Sequence, residues 1–329
     1  MKTRALVPLV VVGLLLAACS AAPSTDRGDD PGTSTSPSAT TAPPSPSPEP
    51  STAAAQITPD PRRATEDQIS YGDRTCHQDK RSSKVLTCVF GDPQGDVEIV
   101  AVGDSKTEQY LSVLDRVGKD RGWRVVSMTK SACAFSTAQL AGGPNPNASW
   151  KACEDWNRNA LRKIDRLKPD AVFTALYKLK VPQFGRGLSG DEQRTLMAEG
   201  IHDALERTGV PSVVLRATPR AESADDVAVC VEKNRRDPSR CDITGDTVSD
   251  PELVWTSAGM DVILDGLDQG TAMSINNLMC SSDRRCESVA DGILRYRDSH
   301  HLTETFLLSI ADAFGSRLER ALVRVGVEP

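Results

Sequence analysis

Two hydrophobic rhythms alternate along most of this chain. Val97-Glu98-Ile99-Val100-Ala101-Val102 is a short β-branched run that predicts a strand, and it ends in Gly103-Asp104-Ser105. Tyr110, Val113, Leu114 and Val117 then recur at helical spacing, so the segment reads as strand, tight turn, helix. Arg124 to Met128 predicts the next strand, followed by a Gly-, Pro- and Asn-rich loop from Ala141 to Ser149. Ala160, Ile164 and Leu167 mark a helix face, and Asp170 to Leu176 a buried strand. Met197, Ile201, Ala204 and Leu205 predict a helix that Gly209 closes, with a strand at Ser212 to Arg216. Beyond Thr218 the pattern weakens, and Arg220 to Asp283 reads as a peripheral insertion. Gly292 to Tyr296 predicts a last short strand, and Phe306, Ile310, Ala313 and Phe314 the final helix. Strands alternating with helices imply an α/β fold with a parallel sheet covered on both faces, whose ligands sit beyond the strands' carboxyl ends.

The two ends of this pattern differ. Lys2 and Arg4 precede an apolar run from Ala5 to Ala18 that is too short to span a bilayer, so residues 1–18 read as a signal peptide. The run closes in Leu16-Ala17-Ala18-Cys19, which resembles a bacterial lipobox, with Cys19 the lipidated first residue of the mature protein. Residues 19–65 are rich in Ser, Thr, Pro, Ala and Asp, too polar to offset ordering entropy, and read as a disordered tether. At about 45 residues it would reach roughly 40 Å as a coil. Residues 66–329 form the folded domain. The expected location is therefore secreted, lipid-anchored to the outer face of the cytoplasmic membrane, in the cell envelope.

Composition narrows the chemistry. The formal net charge is −6, and no basic patch interleaved with aromatics is present, which excludes the electrostatic footprint of a nucleic-acid binder. Apart from Cys19, the cysteines fall as close neighbours in an oxidising compartment: Cys76/Cys88, Cys133/Cys153, Cys230/Cys241 and Cys280/Cys286. Eight cysteines allow on the order of a hundred pairings, of which these four short loops are the most economical. Ligand pairs of the CxxC type are absent and histidines are few, so no metal and no cofactor is expected.

A nucleophilic serine works best on a sharp turn between strand and helix, where its Oγ is exposed and backbone amides face a developing oxyanion. Ser105 occupies such a place. Of the 4 histidines, His77 lies in the Cys76–Cys88 loop and His202 on a helix beside Ile201, and both read as surface or structural residues. His300 and His301 follow the last strand. An Asp three residues ahead of a His on a turn can reach its Nδ1–H and leave Nε2 free to take the serine proton, which selects Asp298 and His301. The competing reading is a solvated His-His pair capping the C-terminal helix.

Gly-Asp-Ser near the start and Asp-x-x-His-Leu near the end resemble the SGNH hydrolase family. The residues Cys76 to Cys88, Gly103-Asp104-Ser105-Lys106, Lys130-Ser131-Ala132-Cys133, Cys153-Glu154-Asp155-Trp156 and Arg297 to Thr303 are similar, in order, to the SGNH domain fused behind family 3 membrane acyltransferases of actinobacteria. The resemblance covers roughly residues 70 to 325. It implies a three-layer α/β/α, flavodoxin-like fold, an acyl-transfer or ester-cleaving site, and acylated cell-surface glycans or glycolipids as substrates. It also places His301, rather than His300, as the base. Two departures stand out. Typical members supply a Gly and an Asn as further oxyanion donors, whereas this chain has Ser131-Ala132 where the Gly falls and no Asn in Thr174 to Lys178. Asp104, Lys106 and Ser131 are the near-site candidates, Lys106 as a group that helps hold an anion. The chain also shows none of the many transmembrane helices of the fused acyltransferases, which implies work alone or with a separate membrane acyltransferase partner.

The resulting expectation is a serine O-acyl esterase or O-acyltransferase, acting on acetyl or another short acyl group through an acyl-serine intermediate at Ser105, Asp298 and His301. The alternatives are a catalytically silent domain that binds acylated glycan or a membrane acyltransferase, and a structural lipoprotein with no small ligand.

Overall fold

The computed structural model describes residues 56–138, 148–177, 189–221, 226–244, 259–281 and 285–328. The expected signal peptide, Cys19 and the tether up to residue 55 lie outside the described residues, as does residues 141–147 of the expected loop. The folded chain begins ahead of the expected boundary at residue 65. Ile57 and Ala64 are buried, Thr58 bridges to Ile293, and Pro61–Glu66 forms a 3-10 turn capped by the Asp60 carboxylate.

In chain order the elements are β1 (His77–Gln78), β2 (Cys88–Gly91), β3 (Val97–Gly103), α1 (Ser105–Glu108), α2 (Leu111–Arg121), β4 (Trp123–Lys130), α3 (Ala148–Leu167), β5 (Ala171–Ala175), α4 (Gly190–Thr208) and β6 (Ser212–Leu215). Then follow α5 (Val227–Lys233), β7 (Ile243–Thr244), a helical segment α6 over 259–264, β8 (Gly270–Met273), β9 (Arg285–Cys286), β10 (Val289–Ala290), β11 (Ile293–Leu294), α7 (Glu304–Ser309) and α8 (Ala311–Arg324). One 7-stranded sheet runs β1-β4-β3-β5-β6-β8, and only β2, paired to β4, is antiparallel.

Side chains alternate across each strand and so divide the core into two layers. Ile99, Ala101, Val125, Phe173 and Leu215 pack with Leu114 and Val117 of α2 and with Phe314 and Leu318 of α8. Val100, Val102, Val126, Met128, Val172 and Val214 pack with Trp156 and Ile164 of α3, with Ile201 and Leu205 of α4, and with Ile263 of α6. Strands buried on both faces read as near-continuous apolar runs, which is why β3 to β6 were legible. Helix ends follow local chemistry. Ser189 and Glu192 form a reciprocal capping box at the start of α4, and Gly209 ends it with φ 66°.

Three expectations change. The region Arg220 to Asp283 is not wholly peripheral, because β8 extends the central sheet in parallel beside β6. The segment expected as the last sheet strand instead pairs β11 with β10 in a separate two-stranded ribbon. The helix after Ser105 is broken into α1 and α2 at Gln109-Tyr110.

The four disulfides pair as expected, Cys76–Cys88, Cys133–Cys153, Cys230–Cys241 and Cys280–Cys286. The first ties β1 to β2, whose residues line up along the same edge of β4. Among the described residues, no helix is long and apolar enough to cross a membrane.

From β3 the chain moves to β4 on one side, and it then crosses to β5 on the other. The order reverses at β3 and β5, the kind of switch point beyond whose carboxyl ends such sheets bind their ligands. Ser105 follows the first of these strands and Tyr177 the second.

Candidate active site

Ser105 owes its position to Gly103 and Asp104. Gly103 has φ 153°, and Thr107 Oγ1 lies so near that a Cβ would meet it at 2.3 Å. Thr107 Oγ1 in turn accepts the Ala175 amide at 3.0 Å, joining the end of β3 to the end of β5. The Asp104 carboxylate caps α1 by accepting the Lys106 amide at 2.8 Å. Asp104 therefore shapes the turn. Burial raises its pKa, against the Lys106 amide and ammonium that lower it.

The loop 297–301 carries the partners. It is closed by the Arg297 amide donating to the His301 carbonyl at 2.9 Å and by a bridge between Tyr296 and Leu302. Within it, Asp298 Oδ1 accepts the amides of His300 at 2.8 Å and of His301 at 2.6 Å. That leaves Asp298 Oδ2 at 2.7 Å from His301 Nδ1. His301 Nε2 lies 2.9 Å from Ser105 Oγ. With Nδ1–H donating to the carboxylate, Nε2 is the acceptor for the serine proton. The structure thus joins Ser105, His301 and Asp298 by continuous hydrogen bonds, and the cap of the following helix is Thr303 rather than either histidine.

Charge states follow from these contacts. Burial alone would raise the Asp298 carboxyl, but the imidazoles of His300 and His301 and the His301 amide hold it well below the usual carboxylate range. Burial holds His301 below its ordinary value, with Lys106 pushing the same way and Asp298 opposing. His301 is accordingly neutral, as a proton acceptor must be.

Lys106 and Ser131 are placed differently from expectation. Lys106 is 2% exposed, and its Nζ donates to the His300 carbonyl at 2.5 Å while lying 5.4 Å from the centre of the Tyr177 ring. It therefore contacts the loop rather than standing free to hold an anion. Ser131 donates its amide to Gln78 and its Oγ pairs with His77 Nε2 at 2.9 Å, so it is committed to β1. His77 bonds Thr129 through Nδ1, and His202 bonds the Ile263 carbonyl, so both are structural as expected. Ala132 has φ 52°, a left-handed backbone that glycine adopts without cost.

Sequence reasoning missed two residues that frame the site, Gln109 and Tyr177. Gln109 Oε1 accepts the Leu302 amide at 3.1 Å. Tyr177 meets His300 edge to face at 4.5 Å, and His300 meets His301 at 4.0 Å. Only the position of Tyr177 after a buried strand carried a signal in advance. Asp298, His300 and His301 also bring three potential metal-ligating atoms within 4.8 Å of one another. Both Asp298 oxygens are already engaged by hydrogen bonds from the same loop, so the donor set fits a proton relay better than a metal centre. A separate cleft of about 540 Å³, lined by Thr137, Asn157, Arg158, Asp203 and Arg207 among others, includes none of the relay residues.

A three-layer domain with its serine after the central strand and its His and Asp on the last loop has the architecture of an SGNH domain. The chain belongs to that family: the model described as SGNH domain (fused to AT3 domains) matches residues 75–316, and the family supports an acyl esterase- or acyltransferase-like role. Among solved structures, the periplasmic domain of a lipopolysaccharide acetyltransferase from Salmonella ser. Paratyphi A is similar in fold, with a TM-score of 0.47 and 14% identity. The alignment covers 67% of this chain and 84% of that one. A comparison with curated protein sequences gives no match.

Proposed function

We propose that the protein is an extracytoplasmic serine O-acyl esterase or O-acyltransferase acting on short acyl groups, acetyl among them, of cell-surface glycan or glycolipid. The observation that carries this reading is the unbroken relay from Ser105 Oγ through His301 to Asp298. Ser105 Oγ attacks the ester carbonyl as its proton passes to His301 Nε2. The sugar oxygen then leaves with that proton, and an acyl-serine remains. Water or a second sugar hydroxyl, deprotonated by His301, releases the acyl group. Asp298 orients the ring and stabilises the imidazolium. The Ser105 amide, at the start of α1 where N–H groups lack intrahelical acceptors, is the oxyanion donor we assign.

In this reading residues 1–18 are a lipoprotein signal peptide, Cys19 carries the lipid, the residues from there to about 55 lead from the membrane, and the SGNH domain follows. A separate membrane acyltransferase is the proposed acyl supplier. A second reading, a silent domain that binds acylated glycan or a membrane acyltransferase, is favoured by Ser131-Ala132 where the family's Gly falls and by the absence of Asn from Thr174 to Lys178.

Intact-mass analysis after exposure to a serine-reactive fluorophosphonate decides between them. A single adduct that maps to Ser105 and is lost in Ser105→Ala and His301→Ala is expected. A folded protein without an adduct would support the silent domain.

A further inference from the structure

Lys106 is unusual for a buried lysine. Among the described residues no carboxylate hydrogen-bonds its Nζ, and the group it contacts is a main-chain oxygen on the loop that bears His301. The lysine follows Ser105 directly, and its partner carbonyl belongs to His300, which directly precedes His301. One hydrogen bond therefore connects the element carrying the nucleophile to the element carrying the base, across 194 residues of sequence. Burial of an ammonium is costly unless it is paired, and a polar residue kept at such a place needs a compensating role.

We propose that Lys106 is the positioning residue of this site: it pins the His300 carbonyl to α1 and so sets the Ser105–His301 distance. This deepens the acyl-transfer reading and rests on it. The charged and titratable groups around the ammonium are Asp104 on its own turn, Arg297, Asp298, His300 and His301 on the facing loop, and Tyr177 beyond β5. Burial brings Lys106 down to about 8, against Asp104 and Asp298, which favour the charged form. The ammonium and the His301 imidazolium disfavour each other, so each lowers the other's proton affinity. Once deprotonated, the amine still has N–H groups to donate, so the pin persists while the electrostatic effect disappears.

Two measurements on the full chain test this. In Lys106→Met, similar in length but without charge or donor, Ser105 labelling by the fluorophosphonate should slow by roughly tenfold to a hundredfold. The acid limb of its pH profile should also move upward, a change that loosened packing alone does not predict. In the unsubstituted protein, the His301 ring nitrogens followed by NMR should show a second inflection near pH 8, matching the titration of Lys106 Nζ. Labelling by Lys106→Met with the parent's rate and acid limb would overturn the proposal. So would His301 nitrogens insensitive to alkaline pH, a readout that stands even where the variant fails to fold. If the unsubstituted protein never labels at Ser105 while His301 still senses Lys106, the esterase reading fails and the positioning role survives.

Discussion

Gly103 and Thr107 share a space that admits no further atom: a Cβ on the glycine would stand 2.3 Å from the threonine Oγ1 and 3.1 Å from its Cβ. Thr107 cannot yield freely, because its hydroxyl holds the Ala175 amide and contacts the Val102 carbonyl at 3.3 Å. Gly103→Ala should therefore destabilise the domain by about 1–3 kcal/mol, the usual cost of overpacking. It should slow Ser105 labelling as well, since the same turn presents the nucleophile. Urea unfolding checks the first effect, and an alanine variant as stable as the parent would contradict it.

The pH dependence has a definite sign. Burial and the Lys106 charge lower the His301 pKa, and only neutral His301 accepts the serine proton. Activity is therefore present above that depressed pKa and is lost as pH falls through it. The acid limb of kcat/KM should have its midpoint below the ordinary imidazole value of about 6.5. A midpoint above that value in an ester-hydrolysis profile would contradict the environment described for His301.

Ala132 offers a test by relief. Its φ of 52° is unfavourable for any residue with a Cβ, by about 1 kcal/mol. Ala132→Gly should remove most of this strain, partly offset by the added freedom of the unfolded chain. A net gain of about 0.5 kcal/mol or more in thermal or denaturant unfolding is expected. A loss of stability would show that the methyl group makes a favourable contact.

The Cys133–Cys153 bridge joins the segment after β4 to α3, and both sulfurs are buried beside the Asn157 amide. Replacing both cysteines with serine should cost about 2–5 kcal/mol. The denaturation midpoint of that variant, measured against the parent under oxidising conditions, gives the answer, and an unchanged midpoint would contradict it.

The parts of this fold that could be read from sequence are those where burial is one-dimensional. Ile99, Val100, Ala101 and Val102 are apolar because both faces of β3 are covered, and α3 and α4 show a single apolar face each. β8 escaped because Gly270-Thr271-Ala272-Met273 lies at the sheet's edge and carries little apolar bulk. Gly292 to Tyr296 was misread for the opposite reason: it has the composition of a strand, but it pairs only with Val289 and Ala290. At the site, Asp298 and His301 were legible because they are three residues apart and their geometry is local. The Lys106 and Gln109 contacts to the same loop were not, since each spans more than 190 residues and nothing in a linear pattern encodes the encounter.

The cross-links and the relay are laid out on opposite scales. The disulfides close loops of 6, 11, 12 and 20 residues, whereas His301 and Ser105 are 196 apart. Short loops close at little entropic cost and soon after their two ends are available. A chain entering an oxidising space amino end first can therefore close Cys76–Cys88 and Cys133–Cys153 while its last hundred residues are still in transit. The relay must wait for them. Until residues 297–301 arrive and settle over α1, the nucleophile is in place without its base. The amino-terminal part thus acquires its cross-links early, and the Ser105–His301 contact forms only at completion.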